Sequence, residues 1–417
     1  MDGHTNGDVS HITHIPLSYV HDQSRESALR LVYYIRPKWR EDDGTVEIVR
    51  FTDGITNTLL QMINRREDWS EEQQENESIL MRAYGNNTHI LIDRNREAKA
   101  HALLAERDLA PELIGRFENG LLYRFIRGKP CKPEDLTKEK VWRGVAKRLA
   151  EWHARIPIAA VKDNATLPNG MRIIQSASSD VVDGVKNSKI DSRQPSPNLW
   201  TVMQKWTSAL PTSTEGEQAR KSLLQEELER SFIDLDSTAG IGHSGFVFGH
   251  CDLLCGNVIL TPSCKVDKQS TAEGVSFIDY EYATPCPAAF DIANHFAEWG
   301  GFDCDYNMLP TRSVRRAFLH EYLESYRTHL ATATTTMANF DLQKALAELE
   351  EQVDRFRGMP GLYWGIWALI QAEISEIDFD YSNYAEVRLG EYWAWRNSEK
   401  ENAQDPPLRE KRWSQEQ

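Results

Sequence analysis

The sequence predicts an α+β chain of two lobes, a small β-rich N-terminal lobe and a larger, mainly helical C-terminal lobe. Residues 45–130 show the pattern of strands around one helical segment, whereas helical spacing dominates from Thr137 onward. The length of 417 residues is consistent with two to three folding units at about 150 residues each. The chain shows no internal repeat at the periods of solenoid proteins, which argues against a repeat fold.

The N-terminal lobe, with a hinge at its end, is expected over residues 24–130. It begins with a short amphipathic helix over residues 24–36, which ends before Pro37. Alternating apolar residues predict strands, and apolar residues three and four positions apart predict a helix. The predicted strands are Val46–Phe51, Thr58–Ile63, Ser78–Tyr84 and Gly120–Ile126, and the predicted helix is Arg94–Arg107. Residues 1–23 are polar and rich in histidine, so we expect a mobile tail there.

The C-terminal lobe is expected over residues 131–400. Val141, Val145, Leu149 and Trp152 form one apolar stripe of a helix, and residues 217–235 form a charged helix. Three or four further amphipathic helices are expected between residues 311 and 397. Residues 160–198 are rich in Ser, Asn, Asp and Pro and predict a flexible insertion. Residues 401–417 are expected to form a C-terminal tail.

The charge balance limits the partners of the chain. Lys and Arg number 48 and Asp and Glu 63, so the formal net charge is −15. This excess of acid argues against non-specific nucleic-acid binding and against docking on an anionic membrane, and it permits a cationic partner. The first twenty residues lack the pattern of a secretory signal, and no apolar run has the length of a membrane span. Together with six cysteines that match no paired CxxC pattern, this predicts a cytoplasmic protein with reduced thiols.

The residues that carry chemistry lie between Val247 and Glu298. Asp252 is followed five positions later by Asn257, and Asp279 ends a short apolar strand further on. This order suits phosphoryl transfer, in which one Asp orients or deprotonates the attacking hydroxyl while an Asn and a second Asp hold Mg²⁺. The alternative is that Asp252 and Asn257 only form hydrogen bonds within a turn. His250 is expected to brace this loop rather than to act as a base.

These motifs make the chain resemble the choline/ethanolamine kinase family, a branch of the protein-kinase-like fold. The resemblance covers most of residues 45–397. Residues Phe248–Leu260 are similar to the phosphotransferase motif HxDxxxxN, and residues Phe277–Tyr282 and Phe290–Trp299 are similar to a signature of the family. Within the family, the loop around Asp252 and the segment Thr52–Asn57 look closer to ethanolamine kinases than to choline kinases.

The resemblance implies that the N-terminal lobe binds ATP. Residues Thr52–Asn57 resemble a short loop that covers the phosphates, and Gly54 allows backbone N–H groups to come close to them. Arg82 stands where protein kinases place Lys and is expected to grip phosphate oxygens and to pair with Glu97. Residues 124–130 resemble the adenine hinge. The implied nucleotide-binding residues are Thr52, Gly54, Thr56, Asn57, Arg82, Glu97, Arg124, Phe125 and Ile126.

The resemblance also implies a site for a small ammonium alcohol. Its implied residues are Asp252, Glu298, Tyr306, Trp364 and Trp367. Trp364 and Trp367 lie three positions apart on one helix face, so both can reach one pocket, although packing in the helix core is the alternative. Glu298 is the expected counter-ion, and Asp291 is expected to anchor the backbone of the Asp252 loop.

Two residues depart from the pattern. Cys251 stands where the family usually has Asn, and Asp53 stands where choline kinases tend to have Gly. Since Cys251 is not an expected metal ligand, we expect activity to tolerate it. The charge of Asp53 weakens nucleotide binding unless a neighbouring group offsets it.

The activity implied by the resemblance is ATP- and Mg²⁺-dependent phosphorylation of ethanolamine to phosphoethanolamine, the first step of phosphatidylethanolamine synthesis by the CDP-ethanolamine route. The alternatives are a choline or dual choline/ethanolamine kinase, an antibiotic phosphotransferase of the same fold, and a catalytically inactive binding protein. The expected partners are a small-molecule substrate and neither nucleic acid nor membrane, in a monomer or homodimer.

Overall fold

The structure is a computed structural model. It describes residues 12–41, 44–51, 57–85, 88–158, 197–236, 240–242, 245–262, 271–333, 340–398 and 406–417. The chain divides into two compact units. The N-terminal unit comprises Met1–Pro130, Val258–Glu281 and Ser375–Ile377, and the C-terminal unit comprises Cys131–Asn257, Tyr282–Ile374 and Asp378–Gln417. The predicted boundary near residue 130 agrees with this division, but the segment that ends at Glu281 belongs to the N-terminal unit.

The strands, in chain order, lie in both units. They are β1 (His14–Ile15), β2 (Thr45–Phe51), β3 (Asn57–Arg65), β4 (Ile79–Tyr84), β5 (Leu113–Phe117), β6 (Gly120–Arg124), β7 (Lys129–Pro130), β8 (Val247–Gly249), β9 (Val258–Leu260), β10 (Val275–Phe277) and β11 (Thr284–Cys286). Within the described residues, the N-terminal unit has a six-stranded sheet in the order β1-β5-β6-β4-β3-β2 and a three-stranded sheet in the order β10-β9-β7. In the C-terminal unit, β8 pairs antiparallel with β11.

The helices of the N-terminal unit are α1 (Ser24–Ile35), α2 (Lys38–Glu41), α3 (Glu71–Glu77) and α4 (Arg94–Ala105). Those of the C-terminal unit are α5 (Pro133–Leu136), α6 (Glu139–Arg155), α7 (Leu199–Ala209), α8 (Glu215–Asp236), α9 (Ala288–Ala297), α10 (Arg312–Ala333), α11 (Leu342–Phe356), α12 (Met359–Ile374), α13 (Tyr381–Ser398) and α14 (Leu408–Ser414). Four of these, α10 to α13, fall within the described part of residues 311–397, where three or four were predicted. Among the described residues, no helix is both long and apolar enough to cross a membrane.

The sheet of the N-terminal unit follows the predicted alternation closely. The antiparallel register of β3 with β4 pairs Leu59 with Arg82, and β4 with β6 pairs Arg82 with Leu121. Arg82 is therefore on a central strand, flanked by β3 and β6, and its side chain is buried. The strand β5 was not predicted, because its short segment Leu113–Phe117 shows no clear alternation.

The predicted tails differ from the structure where it describes them. His14–Ile15 forms β1, which pairs parallel with β5, and the side chain of Ile15 is fully buried in the apolar core of the N-terminal unit. At the other end, α14 lies in the segment 401–417, and its Trp413 is buried. A two-residue strand and a seven-residue helix are stabilised by contacts with distant residues, so their local sequence carries little signal. The insertion predicted at 160–198 lies outside the described residues, except for residues 197 and 198.

The apolar stripe predicted for α6 is confirmed. Val141, Val145, Leu149 and Trp152 are all buried. The indole N–H of Trp152 donates a hydrogen bond to the backbone oxygen of Phe248 on β8, at 2.8 Å. The stripe therefore fixes the strand that leads directly into the loop of Asp252.

Candidate active site

The loop that follows β8 carries the first two predicted catalytic residues. The side-chain nitrogen of Asn257 donates hydrogen bonds to the backbone oxygen of Asp252, at 2.8 Å, and to its Oδ2, at 3.1 Å. Asp252 is 7% exposed and Asn257 is 8% exposed, so the pair is shielded but reachable. Because its nitrogen makes both bonds, Asn257 has its amide oxygen left to act as a hard ligand for a cation.

The carboxylate of Asp291 holds the backbone of this loop. Its Oδ2 accepts a hydrogen bond from the backbone N–H of His250 at 2.9 Å, and its Oδ1 accepts one from Cys251 at 2.7 Å. His153 lies 2.9 Å from the same Oδ2 through its Nε2. The prediction that Asp291 anchors the Asp252 loop is thus confirmed.

Gly249 allows this close approach. A Cβ atom at residue 249 would lie 2.3 Å from the sulfur of Cys286 and 3.1 Å from Cγ of Asp291. A side chain there would push the carboxylate away from the loop, so the position before His250 requires glycine.

Two further residues of α9 fasten the same loop. Asn294 donates from its side-chain nitrogen to the backbone oxygen of Cys251 at 3.0 Å, and Nδ1 of His295 bonds the backbone oxygen of Leu253 at 2.8 Å. Nε2 of His295 accepts from the indole N–H of Trp299 at 3.1 Å. Since one nitrogen donates and the other accepts, His295 is neutral in this arrangement.

Burial controls the ionisation of these groups. It lowers the pKa of His295 to about 4, which keeps the imidazole neutral near pH 7. Burial alone would raise the pKa of Asp291, but the hydrogen bond and charge of His153 and the backbone N–H of Cys251 outweigh it and hold the pKa below its usual range. Because the folded-state pKa is lowered, the stability that Asp291 contributes is present above the ordinary carboxyl pKa and is lost as the pH falls through the lowered value.

The third predicted catalytic residue, Asp279, belongs to a cluster of charges in the N-terminal unit. Nη1 of Arg82 lies 2.7 Å from Oδ1 of Asp279 and 3.2 Å from Oε1 of Glu97. Nη2 of Arg82 bonds Glu281, and Nη1 of Arg94 lies 2.9 Å from both Glu97 and Glu281. The predicted pair of Arg82 with Glu97 is therefore present, together with two partners that were not predicted.

The cluster holds three carboxylates against two guanidinium groups, which leaves one negative charge in excess. Burial alone would lower the pKa of Arg82, but Asp279, Glu281 and Glu97 outweigh it and keep the pKa above its ordinary value. Burial raises the pKa of Glu97 and Glu281 by more than the arginines lower it. The side chain of Asp279 is 32% exposed, whereas those of Arg82, Glu97 and Glu281 are at most 5% exposed. Asp279 is thus the accessible carboxylate of a negatively charged cluster, which suits a cation ligand.

Of the four residues predicted in the phosphate loop, Asn57 is the one that the structure describes. Thr52, Gly54 and Thr56 lie outside the described residues, as does Asp53. Asn57 is described, and its side-chain nitrogen donates to Oε2 of Glu281 at 3.4 Å. Asn57 therefore joins the end of the predicted phosphate loop to the cluster around Arg82.

The structure describes the residues of the predicted hinge, 124–130. The guanidinium of Arg124 is held by Glu112, at 3.0 Å, and by Glu77, at 3.3 Å, so it is committed to surface ion pairs. The backbone N–H of Phe125 donates a hydrogen bond to the backbone oxygen of Ser78 at 3.1 Å. The ring of Phe125 stacks on that of Phe51. Ile126 is half-buried.

Beyond these residues the hinge passes close to β9. A Cβ atom at Gly128, whose φ is +146°, would lie 2.3 Å from the backbone oxygen of Leu260, so the hinge needs glycine there.

The predicted amine residues lie in the C-terminal unit and are mostly buried. Trp364 and Trp367 are each 5% exposed, and their rings meet edge to face with centroids 5.5 Å apart. The indole N–H of Trp364 donates to Oδ1 of Asn294 at 2.9 Å, and that of Trp367 donates to the hydroxyl of Tyr282 at 2.8 Å. Asn294 therefore connects Trp364 to the backbone of the Asp252 loop.

The expected counter-ion, Glu298, has a partner of its own. Its Oε1 lies 2.8 Å from Nη2 of Arg388, and both side chains are at most 5% exposed. Burial raises the pKa of Glu298, although Arg388 lowers it in part. Tyr306 is half-buried and follows in a short 3₁₀ turn, Tyr306–Met308. The carboxylate of Glu298 is therefore shared with an arginine, and its role as the counter-ion of the amine stays a prediction.

Several residues of these groups were not predicted from the sequence: Arg94, Glu281, Asn294, His295 and Arg388. A signal was available for two of them. Asp291, Asn294, His295 and Glu298 follow the spacing i, i+3, i+4 and i+7, which places them on one helix face. Arg388 carries no such signal, because 90 positions separate it from Glu298.

Cys251 and Cys286 lie close together beside this loop. Their sulfur atoms are 3.8 Å apart, and both side chains are fully buried. Burial raises the pKa of Cys286, which keeps its thiol protonated.

Two solved structures with a similar fold are an ethanolamine kinase and a choline kinase. An ethanolamine kinase from Plasmodium vivax has a TM-score of 0.63 and 22% identity, and the match covers 89% of this chain and 88% of that one. A choline kinase from Cryptosporidium parvum has a TM-score of 0.59 and 20% identity, over 90% and 96% of the two chains. The prediction of a protein-kinase-like fold is thus confirmed.

The sequence comparisons define the family. The model of the choline/ethanolamine kinase family matches residues 48–393. Human ethanolamine kinase 1 is 33% identical over 378 residues, which cover 88% of this chain and 71% of that protein. The chain belongs to the choline/ethanolamine kinase family, a family of kinases that act on an alcohol group.

We expect the replacement Cys251→Asn to be tolerated. Cys251 has φ of +61°, a conformation that Asn adopts more readily than Cys. Stability measured by urea denaturation should be unchanged or rise by up to about 1 kcal/mol, and kcat should stay within about twofold. The matched control is Cys251→Val, whose branched side chain should cost about 1–3 kcal/mol at this φ. A loss of more than about tenfold in kcat by the Asn variant would contradict the assignment of Cys251 to a supporting role.

Proposed function

We propose that the chain transfers the terminal phosphoryl group of ATP to the hydroxyl of ethanolamine and releases phosphoethanolamine. The observation that carries this proposal is the fixed loop of Asp252. Asp252 is bonded to Asn257, and Asp291, Asn294 and His295 hold the loop backbone. A phosphoryl-transfer enzyme depends on positioning and on electrostatic stabilisation more than on covalent chemistry. The similarity to human ethanolamine kinase 1 supports the choice of substrate.

In the proposed mechanism, Asp252 accepts a hydrogen bond from the substrate hydroxyl and orients or deprotonates it for in-line attack. Asn257 and Asp279 are the proposed ligands of Mg²⁺, which supplies charge neutralisation at the phosphates when bound. Their oxygen donors fit this hard cation, since Asn257 offers an amide oxygen and Asp279 an exposed carboxylate. Arg82 stabilises charge on the phosphate oxygens, and Glu97 fixes its position.

The nucleotide is assigned to residues of the N-terminal unit. We assign Thr52, Gly54, Thr56 and Asn57 to the phosphates on the basis of the sequence motif. The hinge that begins at Arg124 is assigned to adenine through its backbone groups, with Phe125 and Ile126 flanking the ring. The guanidinium of Arg124 is bound to Glu112 and Glu77, so we assign it no contact with adenine.

The amine is assigned to Glu298, Tyr306, Trp364 and Trp367. The indole rings offer their faces to a cation, while the carboxylate of Glu298 accepts N–H bonds from a primary ammonium group. A quaternary ammonium lacks N–H donors and has to rely on the aromatic faces alone. The aromatic pair of Trp364 and Trp367 is the observation that keeps choline as the second candidate.

Two further features are part of the proposal. The product would enter phosphatidylethanolamine synthesis by the CDP-ethanolamine route, of which this reaction is the first step. We propose a cytoplasmic location and a monomer or homodimer.

Steady-state kinetics with ethanolamine and choline, each at varied Mg²⁺, test the substrate assignment. We expect kcat/KM to be higher for ethanolamine by about tenfold or more, because its ammonium group uses the carboxylate of Glu298 as well as the rings. Activity should require Mg²⁺. A higher kcat/KM for choline would replace the assignment by choline kinase, and turnover of neither amine, with no binding of Mg·ATP by calorimetry, would favour an inactive binding protein.

The replacement Asp252→Ala tests the mechanism. We expect kcat to fall by about 10³-fold or more because the hydroxyl loses the group that orients it, while KM for ATP changes little. Circular dichroism checks that the variant is folded, and Glu348→Ala, an exposed change on α11 of the same unit, is the control. Near-normal turnover by Asp252→Ala would overturn the mechanism.

A further inference from the structure

The side chain of Asn294 on α9 joins two parts of the C-terminal unit that the mechanism described so far treats separately. Its Oδ1 accepts the indole N–H of Trp364 on α12 at 2.9 Å, and its Nδ2 donates to the backbone oxygen of Cys251 at 3.0 Å. Asn294 is fully buried, so water does not compete for either bond. One amide therefore connects the proposed amine site to the loop of Asp252.

The two partners of Asn294 determine which side chain fits between them. An indole N–H is a donor only, and a backbone carbonyl oxygen is an acceptor only. A side chain that satisfies both has to offer one acceptor and one donor, as an amide does and an ionised carboxylate or an aliphatic group does not. The orientation of the Asn294 amide is thus fixed by Trp364 at one end and by the loop at the other.

The carbonyl that Asn294 holds belongs to the peptide group between Cys251 and Asp252. Cys251 has φ of +61°, a conformation that costs energy for a residue with a side chain and needs support from its surroundings. A rotation of this peptide group would move the carboxylate of Asp252. Because a misplacement of about 1 Å can cost about a hundredfold in rate, the bond from Asn294 bears directly on turnover.

Trp367 provides a contrast within the same helix. Trp364 and Trp367 are both 5% exposed, and both donate an indole N–H to a buried partner. The N–H of Trp367 donates to the hydroxyl of Tyr282 at 2.8 Å, whereas that of Trp364 donates to the amide that holds the loop. Two tryptophans with equal exposure therefore differ in what their N–H groups support.

We propose that Asn294 is a positioning residue that couples the amine site to the catalytic loop. Through it, the indole of Trp364 sets both the seat of the ammonium group and the position of Asp252, whereas Trp367 contributes to amine binding alone. This inference rests on the proposed function, because it takes both tryptophans as amine residues. It gives different roles to two residues that their spacing on one helix face makes equivalent.

The physical argument concerns the amide when its donor is removed. Without the N–H of Trp364, Oδ1 of Asn294 loses the hydrogen bond that orients it in a fully buried position. A buried acceptor without a donor is costly, so the amide shifts toward other donors. Its bond to the backbone oxygen of Cys251 then weakens, and the loop that carries Asp252 loses one of its supports.

The test compares Trp364→Phe with Trp367→Phe in steady-state kinetics on the full chain. Each change removes one indole N–H and reduces one aromatic face, so KM for ethanolamine should rise by about threefold or more in both. Trp364→Phe should also lower kcat by about tenfold, whereas Trp367→Phe should keep kcat within about twofold of wild type. KM for ATP should stay within about twofold in both. Glu373→Gln, an exposed change on the same helix, is the control, and its kinetic constants should not change.

A double-mutant cycle tests whether Trp364 acts through Asn294. Asn294→Leu keeps the approximate size of the side chain and removes both bonds, so kcat should fall by about tenfold or more. Adding Trp364→Phe to Asn294→Leu should lower kcat by less than about a further twofold, because the bond between the two residues is already lost. A further loss of about tenfold would show independent effects and would overturn the inference.

Circular dichroism checks the folding of each variant, and either arm of the test is decisive without the other. If Asn294→Leu does not fold, the comparison of the two tryptophan variants decides, and an equal kcat in both overturns the inference. If Trp364→Phe does not fold, Asn294→Leu decides, and a kcat within about twofold of wild type overturns the inference.

The failures of the two proposals can be distinguished. A wild-type chain that turns over ethanolamine, with the same kcat in Trp364→Phe and Trp367→Phe, overturns the inference alone. A wild-type chain that phosphorylates neither ethanolamine nor choline overturns the proposed function and this inference with it. An unchanged KM for ethanolamine in both tryptophan variants overturns the assignment of the amine site and hence the inference. A parallel rise in KM for ATP in Trp364→Phe indicates general disruption of the unit and also overturns the inference.

Discussion

The buried carboxylate of Asp291 fixes the conformation of the loop on which the proposed chemistry depends. It accepts two backbone N–H bonds from His250 and Cys251 and a third contact from His153, all between 2.7 and 2.9 Å. Hydrogen bonds to a charged group contribute about 1.5–3 kcal/mol each, and a buried carboxylate without them would be strongly destabilising. The loop, with Cys251 at a positive φ, is thus held in a conformation that it would not keep alone.

Both units also contain buried groups in which several acids share arginines. Arg82 and Arg94 serve three acids in the N-terminal unit, and Arg388 serves two acids in the C-terminal unit. The group around Arg82 has one more acid than it has arginines, and each group includes a residue assigned to a cationic ligand. The net charge of −15 does not identify these sites, but the local excess of acid around Arg82 is consistent with a metal ion.

Much of the fold could be predicted because its pattern is local. The alternation in Thr45–Phe51 and the stripe on α6 reflect which face of an element is buried, and the motif around Asp252 identified the family. The features that could not be predicted depend on contacts between residues that lie far apart in the chain. β1 is a two-residue strand stabilised by β5, and Arg388 meets Glu298 only in the folded unit. The ion pairs of Arg124 likewise depend on neighbours that the motif does not reveal.

The replacement Asp291→Asn tests the central claim most directly, because it keeps the size of the side chain and removes its charge. Asn has one acceptor oxygen and cannot accept from His250, Cys251 and His153 together. The account predicts that kcat, normalised to the folded fraction by circular dichroism, falls by about a hundredfold, while KM for ATP stays within about threefold. A kcat within about threefold of wild type would show that the loop holds its conformation without the Asp291 charge and would contradict the account.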